Sequence, residues 1–369
     1  MLLLVIILLS LLFPNSCLVP KRVLILDGIP SLSLEQLNLN LDIQSAPSPL
    51  TPEKVASINP NIIICRGSKV SGECINACKD SLALIIRAGA GYDNIDVSAA
   101  ASLNIAVSNC PVQNAISVSE LVFAFILAID RKIIESYHLI QNGIFDKGKL
   151  SKGQRGLYGR TIGIIGSGYI GQNVIRRAAG FGMNVNLWSR RYNNSKTSRP
   201  MSKYQAKELQ LEWALDLIDI TLMPSPIDVA RASDILTIHV QSCKETYNMI
   251  NTEILEAMPR DSILINTARG DVVDTEALLK IMSERNIRVG LDVWDDETVE
   301  GFAKTNSRLI EKMNLDKIDS SSIVLKDDVI VGTPHIGAAT TQAQEAVKLE
   351  MLKIVDTFIR TNTVLNRVN

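Results

Sequence analysis

Three side chains that together could move a proton and bind an anion follow short apolar runs in the second half of the chain. Arg269, Glu297 and His335 each come within a few residues of such a run, and runs of this kind form buried strands. Ligands bind beyond the carboxyl ends of strands in open α/β sheets, so we expect the three side chains to lie at one sheet edge. A histidine exchanges a proton near neutral pH, a carboxylate can orient its ring, and an arginine can grip a carboxylate. Such a set suits hydride transfer at a carbon whose oxygen gains or loses a proton.

A glycine motif predicts where a dinucleotide would bind. Gly166, Gly168 and Gly171 stand between the apolar run Thr161–Ile165 and a predicted helix over Gln172–Phe181. In a strand–turn–helix, the first glycine allows a tight turn, the second lets a pyrophosphate approach the backbone, and the third lets the helix pack on the strand. The helix N-terminus then favours the anion. The motif therefore indicates a nicotinamide dinucleotide, NAD(P), as cofactor.

The residues after the next apolar run bear on the choice between NAD and NADP. An NAD site usually has an acidic residue at this point, about 20 residues beyond the motif. This chain has Ser189, Arg190 and Arg191 instead. A hydroxyl and two guanidinium groups suit a 2′-phosphate, which a carboxylate would repel. We therefore favour NADP(H) over NAD(H), with a solvated basic turn as the structural alternative.

The spacing of apolar runs predicts an α/β fold. Runs of three to five residues alternate with helical stretches, and runs buried on both faces are typical of parallel sheets. The predicted strands are Arg22–Leu26, Ile62–Cys65, Leu84–Arg87, Ile105–Val107, Thr161–Ile165, Val185–Trp188, Ile235–His239, Ser262–Asn266, Val289–Val293 and Val329–Val331.

One helix and one insertion stand out from this alternation. A helix is predicted over Val118–Tyr137, with Ser117 as its N-cap and an apolar middle, Leu121–Ala128. A helix without a polar face is buried between domains or subunits, or is an ordinary core helix. The polar stretch Thr298–Asp328 is predicted to be a surface insertion between two strands.

The composition limits the classes of protein that remain. The chain has 369 residues, 46% hydrophobic and 21% charged, with a formal net charge of −1. This length suggests about two domains, and the balanced charge argues against a nucleic-acid partner. The 6 cysteines and 3 histidines show no metal-site spacing, so we expect no metal and reduced, structural thiols.

The N-terminal segment of the chain is apolar and does not fit the alternation of strands and helices. Met1–Phe13 is almost wholly apolar, yet shorter than the roughly 20 residues that span a bilayer as a helix. We therefore expect no stable membrane span. A secretory signal, an organelle (plastid-like) leader and a misassigned start remain open, so the mature protein could be secreted, in an organelle or cytoplasmic. The fold itself is expected to begin near Lys21.

The ordered motifs resemble those of the D-isomer-specific 2-hydroxyacid dehydrogenase family over nearly all of Lys21–Asn369. The resemblance implies two Rossmann-like, doubly wound parallel-sheet domains. Residues 113–335 would form the nucleotide-binding domain. Residues 21–112 and 336–369, from both chain ends, would form the substrate domain.

The same resemblance implies a role for each site residue. Arg269 corresponds to the family's catalytic arginine, Glu297 to its acid partner and His335 to its proton carrier. The implied cofactor contacts, besides the glycines and Ser189–Arg191, are Ala90, Tyr169, Ile170, His239, Thr267, Ala268 and Asp292, the last at the nicotinamide carboxamide. The implied substrate contacts are Arg66, Gly67, Gly89, Ala90, Gly91 and Asn114. Gln241 departs from the family, which usually has proline there. The helix region 117–138 would support a homodimer.

The sequence supports two interpretations of the substrate, and one alternative function of another class. Arg66 resembles an arginine that contacts the substrate phosphate in short 3-phosphoglycerate dehydrogenases, and a cation suits a phosphoryl group. The pair Arg190 and Arg191 favours instead an NADPH-dependent reductase of glyoxylate or hydroxypyruvate. A nucleotide-sensing protein like the corepressors that share this fold is the alternative of another class.

Overall fold

The computed structural model describes residues 20–29, 32–192, 196–295, 297, 309 and 330–369. The predicted leader and the predicted insertion 298–328, apart from Leu309, lie outside the described residues. Contacts divide the chain into two compact units. The first contains the residues up to Gln113 together with Glu345–Asn369, and the second contains Asn114–Gln344.

The first unit is built on a five-stranded parallel sheet. Its strand order is β2-β1-β3-β4-β5, which is the flavodoxin-like doubly wound order. The strands are β1 (Lys21–Ile25), β2 (Leu41–Ser45), β3 (Ile62–Cys65), β4 (Leu84–Arg87) and β5 (Ala106–Asn109). Its helices are α1 (Leu32–Glu35), α2 (Pro52–Ile58), α3 (Gly72–Ala77), α4 (Val97–Ser102) and most of the last helix, α13 (Thr341–Thr361).

Helices cover both faces of this sheet, as the apolar runs predict. Strand β3 is wholly buried. One face packs on α2 to α4, and the other packs on α13 through residues such as Met351 and Val355. The chain then returns beside β5, where the Val368 amide donates to the Val107 carbonyl over 2.9 Å. Both ends of the chain therefore build the first unit.

The second unit contains an eight-stranded sheet in the order β13-β12-β11-β10-β6-β7-β9-β8, in which only β8 is antiparallel. The strands are β6 (Thr161–Ile165), β7 (Asn184–Trp188), β8 (Arg199–Pro200), β9 (Ile220–Leu222), β10 (Ile235–Ile238), β11 (Ile263–Asn266), β12 (Arg288–Leu291) and β13 (Ile330–Gly332). The strand order reverses at β6 and β10, and such a switch point is where ligands bind in this fold class.

The described helices of the second unit lie on both sides of its sheet. They are α5 (Ala115–Asp130), α6 (Ile133–Gln141), α7 (Lys147–Ser151), α8 (Tyr169–Gly180), α9 (Lys203–Glu208), α10 (Pro226–Arg231), α11 (Thr252–Ala257) and α12 (Thr275–Arg285), with 3₁₀ turns at Arg190–Tyr192, Glu212–Asp216 and Gly270–Val272. Across the part of the chain that is described, no helix is both long and apolar enough to cross a membrane.

The prediction of one helix over Val118–Tyr137 was wrong in its bounds. Two helices, α5 and α6, occupy this region, and Lys132 between them is in the left-handed conformation with φ 50°. The first ends at Asp130, which is fully buried and ion-paired to Arg160 at 2.8 Å. Ser117 is not the N-cap, because it lies inside α5, whose N-cap is Asn114; its hydroxyl donates to the Gly337 carbonyl over 2.6 Å. The burial of Asp130 fixes the position at which the helix breaks.

Candidate active site

Three neighbouring strands of the second unit end at the predicted catalytic residues. Strand β12 pairs with β11 on one side and with β13 on the other, all in parallel. Arg269, Glu297 and His335 follow these strands in turn. The sheet therefore carries all three residues beyond one edge, as the sequence predicts.

Two of the three side chains are in direct contact. The Nδ1 of His335 lies 2.6 Å from Oε2 of Glu297, and an ionised carboxylate only accepts, so Nδ1 is the donor. The other oxygen, Oε1, accepts the backbone N–H of Trp294 over 2.8 Å. The His335 side chain is 44% exposed. This arrangement leaves Nε2 as the ring nitrogen that can exchange a proton with a bound molecule.

The turn that carries His335 is anchored by Asp292. One carboxylate oxygen accepts the Thr333 hydroxyl (2.6 Å) and the Ile336 amide (2.7 Å), and the other accepts the Gly337 amide (2.8 Å). Burial raises the pKa of Asp292 above its ordinary value, although these hydrogen bonds oppose the rise. The division by contacts groups residues 336–344 with the second unit, whereas the resemblance assigns them to the substrate domain.

The turn that carries Arg269 is shaped by Asn266, which the sequence analysis did not single out. The Asn266 side chain accepts the Ala268 amide (3.0 Å) and donates to the Arg269 carbonyl (2.8 Å). The Arg269 guanidinium donates to the Ala268 carbonyl over 2.7 Å. The buried Thr267 hydroxyl has no hydrogen-bond partner among the described residues. Because a buried polar group costs free energy unless it is bonded, Thr267 suits a ligand contact.

The glycine motif has the shape that a dinucleotide requires. Gly166 has φ 111°, and a Cβ there would lie 2.3 Å from the His239 carbonyl oxygen. A Cβ at Gly171 would lie 2.1 Å from the Gly166 oxygen, whereas at Gly168 no atom lies within 4 Å. Helix α8, headed by Tyr169 and Ile170, begins directly after Gly168, and its first N–H groups have no acceptor within the helix. The turn is therefore closed on the protein side and open where a pyrophosphate would lie.

The residues after β7 form a polar corner. Ser189 is buried, and its oxygen accepts the Ser167 hydroxyl over 2.7 Å. Arg190 and Arg191 are exposed in the short 3₁₀ turn. A guanidinium nitrogen of Arg191 lies 3.3 Å from Oε1 of Glu208. One of the two arginines proposed for a 2′-phosphate therefore already has an acidic neighbour.

His239 lies beside the glycine turn in a neutral form. Burial lowers its pKa to about 3, its Nε2 lies 3.0 Å from the Thr237 hydroxyl, and its buried Nδ1 has no partner among the described residues. A neutral ring with one unsatisfied nitrogen suits a ligand hydrogen bond rather than proton transfer. Gln241, which stands where the family usually has proline, lies in the loop that follows His239.

In the first unit, the loop that carries Arg66 and Gly67 is held by Asp27, a residue absent from the sequence predictions. Its carboxylate accepts the amides of Arg66 (2.6 Å) and Gly67 (2.8 Å), and also the amide and hydroxyl of Ser68. Burial would raise the pKa of Asp27, but these hydrogen bonds lower it below its ordinary value. The loop after β3 is therefore fixed by one ionised carboxylate.

The second predicted substrate loop of the first unit contains Gly89, Ala90 and Gly91. The Cys110 amide donates to the Gly89 carbonyl (2.9 Å), and the Asn109 side chain donates to the Ala90 carbonyl (2.6 Å). These contacts anchor the loop to the end of β5. The remaining predicted residue, Asn114, is the N-cap of α5 in the second unit and makes no side-chain capping bond.

The cysteines of the described residues are free thiols: Cys65, Cys74, Cys78, Cys110 and Cys243. Burial raises the pKa of Cys65 and of Cys110 to about 12, so these thiols stay protonated and unreactive. No group of three or more histidine, cysteine or acidic side chains in the described ranges could hold a metal ion.

Comparisons with known proteins show which family the chain belongs to. The family "D-isomer specific 2-hydroxyacid dehydrogenase, NAD binding domain" matches residues 123–337. A D-3-phosphoglycerate dehydrogenase of Methanocaldococcus jannaschii is 32% identical over 84% of this chain, and this chain spans only 51% of its length. A glyoxylate reductase of Thermococcus litoralis is 31% identical over 94% of this chain and 96% of its own.

A solved structure shows the same fold. The D-lactate dehydrogenase of Aquifex aeolicus, complexed with NAD and lactic acid, has a TM-score of 0.71 and 26% identity, over 92% of this chain and 95% of that one. The chain therefore belongs to the D-isomer specific 2-hydroxyacid dehydrogenase family, whose members are oxidoreductases with a nicotinamide-dinucleotide-binding domain.

Proposed function

We propose that this protein transfers a hydride between a nicotinamide dinucleotide and C2 of a D-2-hydroxy acid, with His335 as the proton carrier. The contact between His335 Nδ1 and Glu297 Oε2, at 2.6 Å, carries the proposal. The bound nicotinamide ring supplies or accepts the hydride. Nε2 of His335 gives a proton to the substrate oxygen during reduction and removes it during oxidation.

The other residues orient the substrate and stabilise charge. Glu297 keeps the imidazole ring in place and stabilises its charged form, as a carboxylate does for a catalytic histidine. Arg269 binds the substrate carboxylate or polarises its carbonyl with a planar fork of donors. Gly166, Gly168 and the start of α8 would hold the pyrophosphate of the dinucleotide, and Asp292 would hold its carboxamide.

As substrate we propose D-3-phosphoglycerate, with 3-phosphohydroxypyruvate as its oxidised form, which would put the protein in serine biosynthesis. Arg66 supports this choice, because Asp27 fixes the backbone of its loop and so pre-orients a cation that suits a phosphoryl group. The name of the Methanocaldococcus relative is in line with it. An NADPH-dependent reductase of glyoxylate or hydroxypyruvate is the second candidate, supported by Arg190 and Arg191 and by the name of the Thermococcus relative.

For the cofactor we propose NADP(H) over NAD(H). The end of β7 carries the buried Ser189 and the exposed Arg190, and a hydroxyl and a guanidinium both suit a 2′-phosphate. For the assembly we propose a homodimer through the region 117–138 and its continuation in α6. Ile133, Tyr137 and Ile140 of this region are each more than half exposed.

One assay tests these choices together. The purified full chain is given 3-phosphohydroxypyruvate, hydroxypyruvate and glyoxylate, each with NADH and with NADPH. A higher kcat/KM with NADH on all three substrates would contradict the cofactor proposal. Tight dinucleotide binding without turnover of any substrate would favour a nucleotide sensor over an enzyme.

A substitution at Arg66 tests whether this residue recognises the substrate phosphate. Arg66→Ala should lower kcat/KM for 3-phosphohydroxypyruvate about 10- to 100-fold, the worth of about 1.5–3 kcal/mol for a charge-assisted bond. Losses on glyoxylate should stay within about threefold. Lys69→Ala is the matched control, because it removes a nearby exposed cation from the same loop. Equal losses on all three substrates would remove Arg66 from phosphate recognition.

A further inference from the structure

Trp294 comes shortly after the end of β12 and contacts two of the segments that carry the proposed catalytic side chains. Its backbone N–H donates to Oε1 of Glu297 over 2.8 Å. Its indole Nε1–H donates to the Thr333 carbonyl, two residues before His335, over 3.0 Å. One residue therefore bonds to the acid partner through its backbone and to the histidine turn through its side chain.

The position of Trp294 is itself fixed by packing. The residue is only 8% exposed and belongs to a buried apolar cluster. A Cβ at Gly332 would lie 2.5 Å from the indole ring, and a Cβ at Gly270, next to Arg269, would lie 1.9 Å from the Trp294 carbonyl oxygen. The ring thus abuts the end of β13, and the backbone abuts the Arg269 turn.

The histidine turn needs such a support. His335 has φ 54°, a left-handed conformation that costs a residue other than glycine about 1–2 kcal/mol. The His335 amide and the Trp294 indole both donate to the Thr333 carbonyl, each over 3.0 Å. The indole therefore bonds to the same oxygen that closes the strained turn.

We propose that Trp294 is the positioning residue of this site, whose indole N–H keeps the His335 turn in the conformation that places Nδ1 against Glu297. The inference rests on the proposed function, in which His335 is the proton carrier. Trp294 acts through His335 and Glu297 and has no role of its own in the chemical step.

Trp294→Phe tests the role of the indole, because it keeps an aromatic ring and removes the N–H. We expect kcat to fall about 10-fold while the Kd of NADH or NADPH changes by less than twofold. Trp188→Phe is the matched control. It deletes an indole N–H from a residue that is 9% exposed and whose Nε1 bonds to no described residue, so we expect less than a twofold change in kcat.

A double-mutant cycle separates positioning from a general structural effect. Residues that act as a unit are strongly non-additive. Trp294→Phe should therefore cost less than twofold in a His335→Asn background, where the turn no longer holds a proton carrier. An equal loss in both backgrounds, or no loss in the wild type, would overturn the proposal.

A measurement without turnover keeps the inference distinct from the proposed function. The chain has 3 histidines, so the ring signals of His335 can be assigned by NMR with His335→Asn as reference. Trp294→Phe should shift the His335 ring signals and leave those of His138 unchanged. Gly332→Ala, which presses on the ring but keeps the N–H, should shift the same signals.

The NMR and turnover measurements together separate failure of the positioning role from failure of the proposed function. Unmoved His335 signals in both variants would overturn the positioning role. Moved signals in a wild-type protein that turns over none of the three 2-oxo acids would overturn the proposed function and leave the positioning of the histidine turn supported.

Discussion

At the scale of single residues, Asp27 decides how the Arg66 loop is held. Its carboxylate accepts hydrogen bonds from Arg66, Gly67 and Ser68, which lie 39 to 41 positions further along the chain. A local sequence pattern could not reveal this role, because nothing near Asp27 indicates which loop lies opposite. Trp294 is similar, since its partner Thr333 is 39 residues away.

The state of Asp27 predicts a pH-dependent contribution to stability. Its folded pKa is lowered from the ordinary 3.8, so its contribution is present above pH 3.8 and is lost as the pH falls through the folded pKa. Asp27→Asn should lower the free energy of unfolding by about 1–2 kcal/mol at pH 7. The difference from the wild type should shrink below pH 4, as measured by urea unfolding. The exposed Asp80→Asn is the control, and a difference that persists unchanged at pH 3 would contradict the prediction.

We expect Glu208 to weaken the preference of the protein for NADP(H). Its carboxylate lies 3.3 Å from the Arg191 guanidinium, so it competes with a 2′-phosphate and repels it. Glu208→Gln should raise the ratio of kcat/KM for NADPH to that for NADH by about 3- to 10-fold, equivalent to about 0.7–1.4 kcal/mol.

The control for Glu208 is Glu212→Gln, which removes the charge of an exposed acid four residues further on. Long-range electrostatics alone would move both variants by the same factor. An unchanged ratio in Glu208→Gln would show that Arg191 takes no part in binding the phosphate.

At the scale of elements, the sequence predicted the strands that form apolar runs and missed three others, β2, β8 and β9. Each of the ten predicted runs overlaps a strand, because such strands are continuous apolar runs. The edge strand β2 is only partly buried and mixes polar with apolar residues. Strands β8 and β9 have two and three residues, too few for any periodicity to be recognised.

The end of the helix Ala115–Asp130 could not be predicted from the sequence. Its apolar residues resume after the charged segment 130–132 at Ile133, which keeps the i, i+4 helical spacing from Ile129, so the spacing of apolar residues alone gives no reason to end the helix. The break follows from the buried pair Asp130 and Arg160, together with the Gly156 amide that donates to the same carboxylate over 2.9 Å. These partners are distant in sequence, and only the folded chain brings them together.

The candidate site likewise contains residues that sequence motifs predict and supporting residues that only the folded structure reveals. Motifs at strand ends predicted Arg269, Glu297, His335 and the glycine turn, because in this fold ligand-binding residues follow the strands directly. The residues that hold those side chains in place, such as Asn266, are recognised only through their hydrogen bonds. Sequence motifs therefore indicate candidate ligand-binding groups, whereas the groups that support them are recognised only in the folded chain.

At the scale of the whole molecule, the apolar surface of α6 predicts self-association. Ile133, Tyr137 and Ile140 are 54%, 59% and 57% exposed, and Phe145 just beyond the helix is 88% exposed. Exposed apolar patches of this kind mark interaction surfaces. Fully burying an exposed apolar side chain contributes about 1.5–3 kcal/mol, so covering the exposed part of several such side chains on each copy would stabilise a homodimer.

Replacing one of these side chains should therefore weaken the assembly. Ile140→Glu places a charge in the apolar patch and should raise the Kd of the dimer at least 10-fold, as measured by sedimentation velocity over a range of protein concentrations. Leu349→Glu is the matched control, because Leu349 is 58% exposed on α13. A wild-type chain that stays monomeric at all concentrations, or equal weakening by both variants, would exclude α6 as the interface. Weakening by Ile140→Glu alone, with unchanged circular dichroism, would support this helix as the surface on which two copies meet.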